Sequence, residues 1–166
     1  MRVLGIDPGT ASLGFGVVEA AGGRLRALEH GVVRTSPEEA VQERLLKIHA
    51  QLRDVVERWR PRLLAVEQVF FRKNVTSALS VGQARGVVLL LAAQAGLEVA
   101  EYPPHAVKMA VSGVGRADKA QVQEMVRLLL SLPAAPQPDD AADALAVAIC
   151  GAHHALNPLA RAGWRP

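Results

Sequence analysis

The stretch RVLGID, residues 2–7, is a short apolar run that ends in the carboxylate of Asp7. The stretch LLAVE, residues 63–67, repeats this pattern and ends in Glu67. Short continuous apolar runs are typical of strands that are buried on both faces, so both stretches predict inner strands of a sheet. The two carboxylates are therefore expected at the ends of buried elements.

A third acidic motif lies near the C-terminus, where Asp140 and Asp143 are three residues apart. On a helix this spacing places both side chains on one face. Asp139 and Asp140 could instead stabilise a helix N-terminus by capping and through the helix dipole. That alternative does not account for Asp143, which begins the apolar run of the helix.

The apolar residues at positions 3–6, 63–66 and 141–149 include no Lys or Arg that could neutralise these acids. Removing an unpaired carboxylate from water is prohibitively costly. Hard divalent cations prefer oxygen ligands, and Mg²⁺ is usually held by a few carboxylates together with substrate phosphates. The pattern therefore predicts a magnesium-dependent site for phosphoryl transfer.

Glycines follow Asp7 at positions 9, 14 and 16. Glycine lets the backbone approach a phosphate closely or make a tight turn. The alternative is an ordinary hairpin between two strands, with Asp7 as its polar corner.

The bulk composition favours one soluble domain. The chain has 166 residues, half of them hydrophobic, and its single cysteine rules out an internal disulfide or a zinc site of clustered cysteines and fits a reducing cytosol. The best candidate for a membrane span, residues 87–95, is too short, and the N-terminus lacks the pattern of a signal peptide, so no membrane is expected. The net charge of +3 favours nucleic acid only weakly.

Turn and capping residues divide the chain into strands and helices. Paired glycines suit a hairpin turn at residues 21–24, and Ser36 with Pro37 predicts a capped helix start. Asp118, with Gln121 three residues on, and Asp139 predict the caps of the last two helices. The predicted strands are 2–7, 13–20, 25–34, 63–69 and 97–101, and the predicted helices are 36–60, 75–95, 105–111, 118–132 and 140–156. This order predicts an α/β fold with a mixed five-stranded sheet flanked by helices.

Five segments in order along the chain carry a family resemblance. They are GIDPGT (5–10), VEQVF (66–70), QARG (83–86), ADKAQ (117–121) and DAADALA (140–146). Together they resemble the RuvC family of Holliday-junction resolvases. The resemblance implies a ribonuclease H-like fold over residues 1–157, with the tail 158–166 unassigned. It also implies a cytoplasmic homodimeric endonuclease that nicks four-way DNA junctions and works with the branch-migration proteins RuvA and RuvB.

The catalytic acids of that family fall on Asp7, Glu67, Asp140 and Asp143. The resemblance thereby implies two Mg²⁺ ions, with Mn²⁺ as a possible substitute. We expect Asp7 to bridge both ions because its strand is central, Glu67 to hold one ion, and Asp140 with Asp143 to hold the other. The products would be a 5′-phosphate and a 3′-hydroxyl.

The DNA contacts are predicted at two places. Phe70 and Phe71 precede Arg72 and Lys73, an aromatic and basic cluster in a chain with 4% aromatic residues. Exposed aromatics can stack on unpaired bases, and the resemblance assigns this role to Phe70. It also places phosphate contacts at the basic positions Lys108 and Lys119, to which Arg116 in a glycine-rich loop is added. For any one of these side chains, burial or simple solvation is the alternative.

Three other functions remain open on the sequence alone. An ATP-binding protein of the actin-like or sugar-kinase group uses a similar Asp-x-Gly-Thr turn, but it would need a second domain. A ribonuclease acting on RNA/DNA hybrids would share the metal chemistry. A catalytically silent junction-binding module is disfavoured because all four acids are present.

Overall fold

The computed structural model describes residues 1–9, 11–68 and 75–157. Their elements are β1 (Arg2–Asp7), β2 (Ser12–Ala21), β3 (Arg24–Arg34), α1 (Val41–Trp59), β4 (Leu63–Glu67), α2 (Val75–Ala95), β5 (Glu98–Tyr102), α3 (Pro104–Ser112), α4 (Lys119–Leu129) and α5 (Asp139–Leu156). The strands form one sheet in the order β3-β2-β1-β4-β5. The predicted mixed five-stranded sheet with flanking helices is confirmed.

Strand pairing places Asp7 and Glu67 at the same edge of the sheet. β1 is the central strand, and it pairs antiparallel with β2 and parallel with β4. Ile6 lies opposite Val66 in the parallel ladder, so the acidic residue that follows each of them ends its strand at the same level. The predicted hairpin between β2 and β3 is confirmed, and both of its glycines, Gly22 and Gly23, have positive φ.

Side chains alternate between two helical layers on the faces of the sheet. Val3 and Ala65 pack in the core that includes α3, α4 and α5. Leu4 and Val66 pack in the core that includes α1 and α2. We call these the α5 layer and the α2 layer. By the same alternation, Asp7 and Glu67 face the α5 layer.

Glycines allow α5 to lie directly against the sheet. A Cβ atom on Gly16 would lie 2.8 Å from Leu145 Cδ2, and one on Gly5 would overlap the carbonyl oxygen of Ala144. The prediction that Gly14 and Gly16 form a turn is wrong, because both lie within β2 and contact α5. Their function here is close packing between strand and helix.

Helix α1 begins at Val41, five residues after the predicted start at Ser36. The Ser36 hydroxyl accepts a hydrogen bond from the Glu38 backbone N–H (3.3 Å) and donates to the Glu38 carboxylate (2.9 Å). Serine competes in this way for local backbone groups, and the segment forms a turn instead of a helix start. The N-cap residue of α1 is Ala40, which makes no side-chain capping bond.

The capping predictions for the last two helices had different outcomes. Asp118 accepts a hydrogen bond from the Gln121 backbone (2.8 Å) and its own N–H donates to the Gln121 side chain (3.0 Å), so the predicted capping box is confirmed. Asp139 is not the cap of α5. It is the first residue of the helix, the N-cap is Pro138, and the Asp139 carboxylate binds the Lys119 ammonium instead.

Helix α2 matches the predicted bounds but is more apolar than expected. Its segment Ala78–Ala95 is long and apolar enough to cross a membrane by length and composition, although the sequence prediction allowed only residues 87–95. A single helix of this kind is weak evidence for a membrane span, because core helices of soluble proteins meet the same criteria.

Candidate active site

Three of the four predicted acids converge where β1 ends and α5 begins. Asp7 is the last residue of β1, and Asp140 and Asp143 lie in the first turns of α5. One carboxylate oxygen from each lies within 4.8 Å of the other two, and all three side chains are half-buried. Glycine packing explains the short distance, because α5 could not approach the sheet as closely over larger residues.

Glu67 borders this cluster from the neighbouring strand. It lines a cleft of about 240 Å³ whose other walls include Asp143, Lys108 and Lys119. It is outside the group of three acids whose oxygens lie within 4.8 Å, among the residues that the structure describes. The site therefore consists of a tight group of three carboxylates with a fourth acid at its side.

Burial and like charge both oppose ionisation of these acids. Burial, followed by the charges of Glu67, Asp143 and Asp140, raises the pKa of Asp7 to about 7, although Lys119 opposes the shift. Burial, followed by the charge of Asp143, also raises the pKa of Glu67. Burial raises the pKa of Asp143, against the lowering effect of Lys119. The site gathers more negative charge than its basic neighbours offset, as expected of carboxylates arranged around a cation.

Two lysines from α3 and α4 close the other side of the cleft. The Lys119 ammonium lies 3.1 Å from Asp139 Oδ2 and 3.3 Å from Asp143 Oδ2. The Lys108 ammonium donates to the carbonyl oxygen of Ala117 at 2.8 Å. Both predicted basic residues thus stand beside the acids, and Lys119 is bound to one of them.

Comparison with known proteins identifies the family to which the chain belongs. The sequence profile of the family described as crossover junction endodeoxyribonuclease RuvC matches residues 3–151. The chain belongs to the RuvC family. The RuvC of Thermomicrobium roseum is 59% identical over 150 residues, which are 90% of this chain and 91% of the relative. The RuvC of a Roseiflexus species is 58% identical over 160 residues, which are 96% and 94% of the two chains.

A solved member of the RuvC family has the same fold. The structure described as T. thermophilus RuvC in complex with Holliday junction substrate superposes with a TM-score of 0.86 at 44% identity, and covers 93% of this chain and 95% of that one. The ribonuclease H-like fold expected from the sequence is therefore confirmed. This chain is a crossover junction endodeoxyribonuclease by family.

The predicted DNA-contacting residues are divided between described and undescribed parts of the chain. Arg116 is exposed in the loop between α3 and α4. Phe70, Arg72 and Lys73 fall outside the described residues, so their predicted role stays a prediction.

Sequence reasoning missed two polar residues that bind the acids of α5. The Ser12 hydroxyl donates a hydrogen bond to Asp140 Oδ2. The Gln123 amide donates to Asp139 Oδ1 at 2.9 Å. The sequence does contain an indication for Ser12. Ser12 lies two residues before Gly14, and residues two apart in a strand lie on the same face, which here is the face toward α5. Gln123 gave no comparable signal.

Proposed function

We propose that this protein resolves four-way DNA junctions at a metal site built from Asp7, Glu67, Asp140 and Asp143. The observation that carries the proposal is the approach of oxygens from three of these carboxylates to within 4.8 Å of one another. The junction DNA bound by T. thermophilus RuvC supports the choice of substrate. The reaction would be hydrolysis of a phosphodiester bond on each of two opposing strands.

The donor set fits the proposed cofactor. All four side chains offer oxygen, the ligand atom that Mg²⁺ and Mn²⁺ both accept. The raised pKa of Asp7 and its buried neighbours supplies a reason for a cation, since a bound cation would hold these groups ionised. When bound, a pair of Mg²⁺ ions stabilises the entering and departing oxygens of an in-line displacement.

The position of each of the four acids would determine which metal ion it binds. Asp7, on the central strand and affected by the charge of each other acid, would be the ligand shared by both ions. Glu67 would serve one ion from β4, and Asp140 with Asp143 would serve the other from α5. In-line attack of water would leave a 5′-phosphate and a 3′-hydroxyl.

The basic residues around the cleft would hold the DNA backbone. Lys119 lies 3.3 Å from Asp143, and Lys108 lines the same cleft, so a phosphate bound by either would be beside the acids. Arg116 is exposed in the loop between α3 and α4. Each true phosphate contact that is removed should reduce the salt dependence of binding by roughly one unit of slope.

Phe70, with Arg72 and Lys73, would contact bases at the junction centre. A 2-aminopurine placed there reports the stacking of an aromatic side chain. Replacing Phe70 by Ala should change its fluorescence if Phe70 stacks. Unchanged fluorescence would count against this role.

A homodimer would place two active sites on the two strands of a symmetric junction. Helix α2 supports this proposal, because Leu79 and Leu90 are 63% and 54% exposed and lie on the same side of the helix. With the exposed Gly82, Gly86 and Ala93 they form an apolar stripe, which favours contact with a second apolar surface. Light scattering that detects only monomer at micromolar concentration would contradict the dimer.

Coupling to RuvA and RuvB and a location in the cytoplasm complete the proposal. Both rest on membership of the RuvC family. Co-purification with RuvA and RuvB on junction DNA would test the coupling, and a failure to bind beside them would count against it.

The decisive experiment uses a labelled synthetic four-way junction with and without Mg²⁺. We expect paired symmetric nicks in opposing strands that require the metal. Duplex DNA and an RNA/DNA hybrid of the same sequence are the controls. Equal cleavage of the hybrid would favour a ribonuclease, and no cleavage of any substrate would contradict the proposal.

A further inference from the structure

Ser12 is the first residue of β2 and binds an acid of the proposed metal site. Its hydroxyl donates a hydrogen bond to Asp140 Oδ2 across the interface between β2 and α5. Ser12 and Asp140 are 128 residues apart in the chain, so this contact exists only in the folded protein. Ser12 is half-buried, on the sheet face that carries α5.

The backbone of β2 holds the same turn of α5 from a second point. Gly14 lies two residues after Ser12, on the same face of the strand. A Cβ atom on Gly14 would overlap the backbone carbonyl of Asp140 and lie 3.2 Å from its Cβ. The absence of that atom brings the strand against the helix at Asp140, and the hydroxyl of Ser12 then sets the direction of the carboxylate.

The two acids of α5 that belong to the proposed metal site have different partners. Asp143 forms an ion pair with the Lys119 ammonium at 3.3 Å. Asp140 is bound by a neutral hydroxyl, which orients the carboxylate while leaving its negative charge and its other oxygen for a ligand. Such a hydrogen bond can hold the carboxylate in the orientation that a metal ion requires.

We propose that Ser12 is a positioning residue, which orients the Asp140 carboxylate for metal binding. The inference rests on the metal site of the proposed function. Hydrogen bonds to metal ligands fix their orientation, and their removal typically weakens metal affinity by about 10- to 100-fold. The alternative is that the hydrogen bond only fastens α5 to the sheet, in which case its loss would lower stability and leave the metal affinity of the folded protein unchanged.

Calorimetric titration of the full chain with Mn²⁺, without DNA, separates these roles. Ser12→Thr and Ser12→Val form a matched pair, because they share shape and differ in the hydroxyl. We expect Ser12→Val and Ser12→Ala to bind Mn²⁺ about tenfold more weakly, and Ser12→Thr to stay within about twofold of the wild type. Ser131→Ala, which removes a hydroxyl beside Gly23 and Arg24 at the opposite end of β2 from Ser12, should bind as the wild type does.

Thermal unfolding in EDTA reports stability independently of the metal. If Ser12→Val and Ser12→Ala do not fold, Ser12→Cys decides instead, because its thiol is a weaker donor of similar size and should give an intermediate affinity. Wild-type affinity in Ser12→Ala, or in Ser12→Cys where that variant is needed, would overturn the inference. So would equal weakness of Ser12→Thr and Ser12→Val. If the wild type itself binds no Mn²⁺, the proposed metal site fails, which is a distinguishable result.

Discussion

Helices α5 and α2 are both apolar, but they occupy very different environments. Leu145 of α5 is fully buried, between the sheet and the helices of its own layer. In α2, Val88 and Leu91 are buried while Leu79 and Leu90 face outward. Composition alone identifies both as apolar helices. Whether a helix is buried on all sides or on one side depends on the elements that pack around it.

Glycines mark close packing in the α5 layer but not in the α2 layer. In the α5 layer, Gly5 and Gly16 of the strands make room for the helix, and a Cβ on Gly151 of α5 would lie 2.9 Å from the Cβ of Ala65. In the α2 layer the glycines belong to the helix, and a Cβ on Gly82 or Gly86 would meet no heavy atom within 4 Å in the described parts of the chain. Close packing within the described parts of the chain therefore does not account for these two helical glycines. Under the proposed function, the α5 layer would carry the chemistry and the α2 layer would form the dimer contact.

The largest expected effect tests whether chemistry belongs to the α5 layer. Asp7→Asn should abolish detectable Mg²⁺-dependent cleavage, because it removes the charge of the acid at the centre of the cluster. Junction binding and dimer formation should be largely unchanged. A nicking assay on the synthetic junction measures the first, and a mobility-shift assay with light scattering measures the others. Retained cleavage would defeat the assignment of the site.

A matched pair of leucine truncations compares the two layers in stability. Leu145→Ala should lower the free energy of unfolding by about 2–5 kcal/mol, because it leaves a cavity in a closed core. Leu90→Ala should change the stability of the monomer by less than about 0.5 kcal/mol, because that side chain is exposed. Denaturant titrations at low protein concentration measure both. Similar losses in the two variants would remove the contrast between the layers.

The raised pKa of Asp7, in the α5 layer, predicts that the stability of the protein depends on pH. Its value of about 7 in the folded protein exceeds the ordinary 3.8, so the folded state retains this proton more strongly than the unfolded chain. Without metal, the stability from this group is complete below pH 3.8 and decreases as pH rises toward 7, by at most about 1.4 kcal/mol per pH unit.

Chemical unfolding in EDTA between pH 4.5 and 7, at about half-unit steps, measures this slope within the window that the two pKa values define. Asp7→Asn should reduce it, since that variant has no proton to lose. An equal slope in the variant would assign the effect to other groups.

The smallest expected effect comes from the glycines. Gly86→Ala should stabilise the monomer by about 1 kcal/mol, because alanine favours the helix and its methyl group meets open space. If α2 is the dimer interface, the same change should alter the dissociation constant. Gly5→Ala is the matched control, and it should destabilise the protein because its Cβ would overlap the Ala144 carbonyl. A stabilised Gly5→Ala would contradict the glycine packing of α5.

Local sequence patterns predicted the strands and helices well where a pattern is compatible with only one structure. The run at residues 2–7 gave the bounds of β1, and the Asp118 and Gln121 pair gave the start of α4. Prediction failed where a polar residue could bind locally in two ways. Ser36 formed a turn with Glu38, and Asp139 bound Lys119 instead of capping α5. Those choices depend on neighbours that the local sequence does not specify.

The acids of the site could be predicted from the sequence, but the contacts that position them could not. Asp7, Asp140 and Asp143 are recognisable because charges inside apolar runs need a partner. The division of Glu67 from the other three, and the contact from Ser12 to Asp140, follow from how α5 lies across the sheet. Tertiary packing of this kind has no local signature in the sequence.

The parallel register between β1 and β4 limits how this enzyme can change over evolution. A gain or loss of one residue inside β4 would turn Glu67 toward the opposite layer and bring Val66 or Gln68 in its place. Insertions at the ends of α1 would leave the ladder intact. Length variation among functional homologues should therefore concentrate in the connections around α1 and be rare within β4.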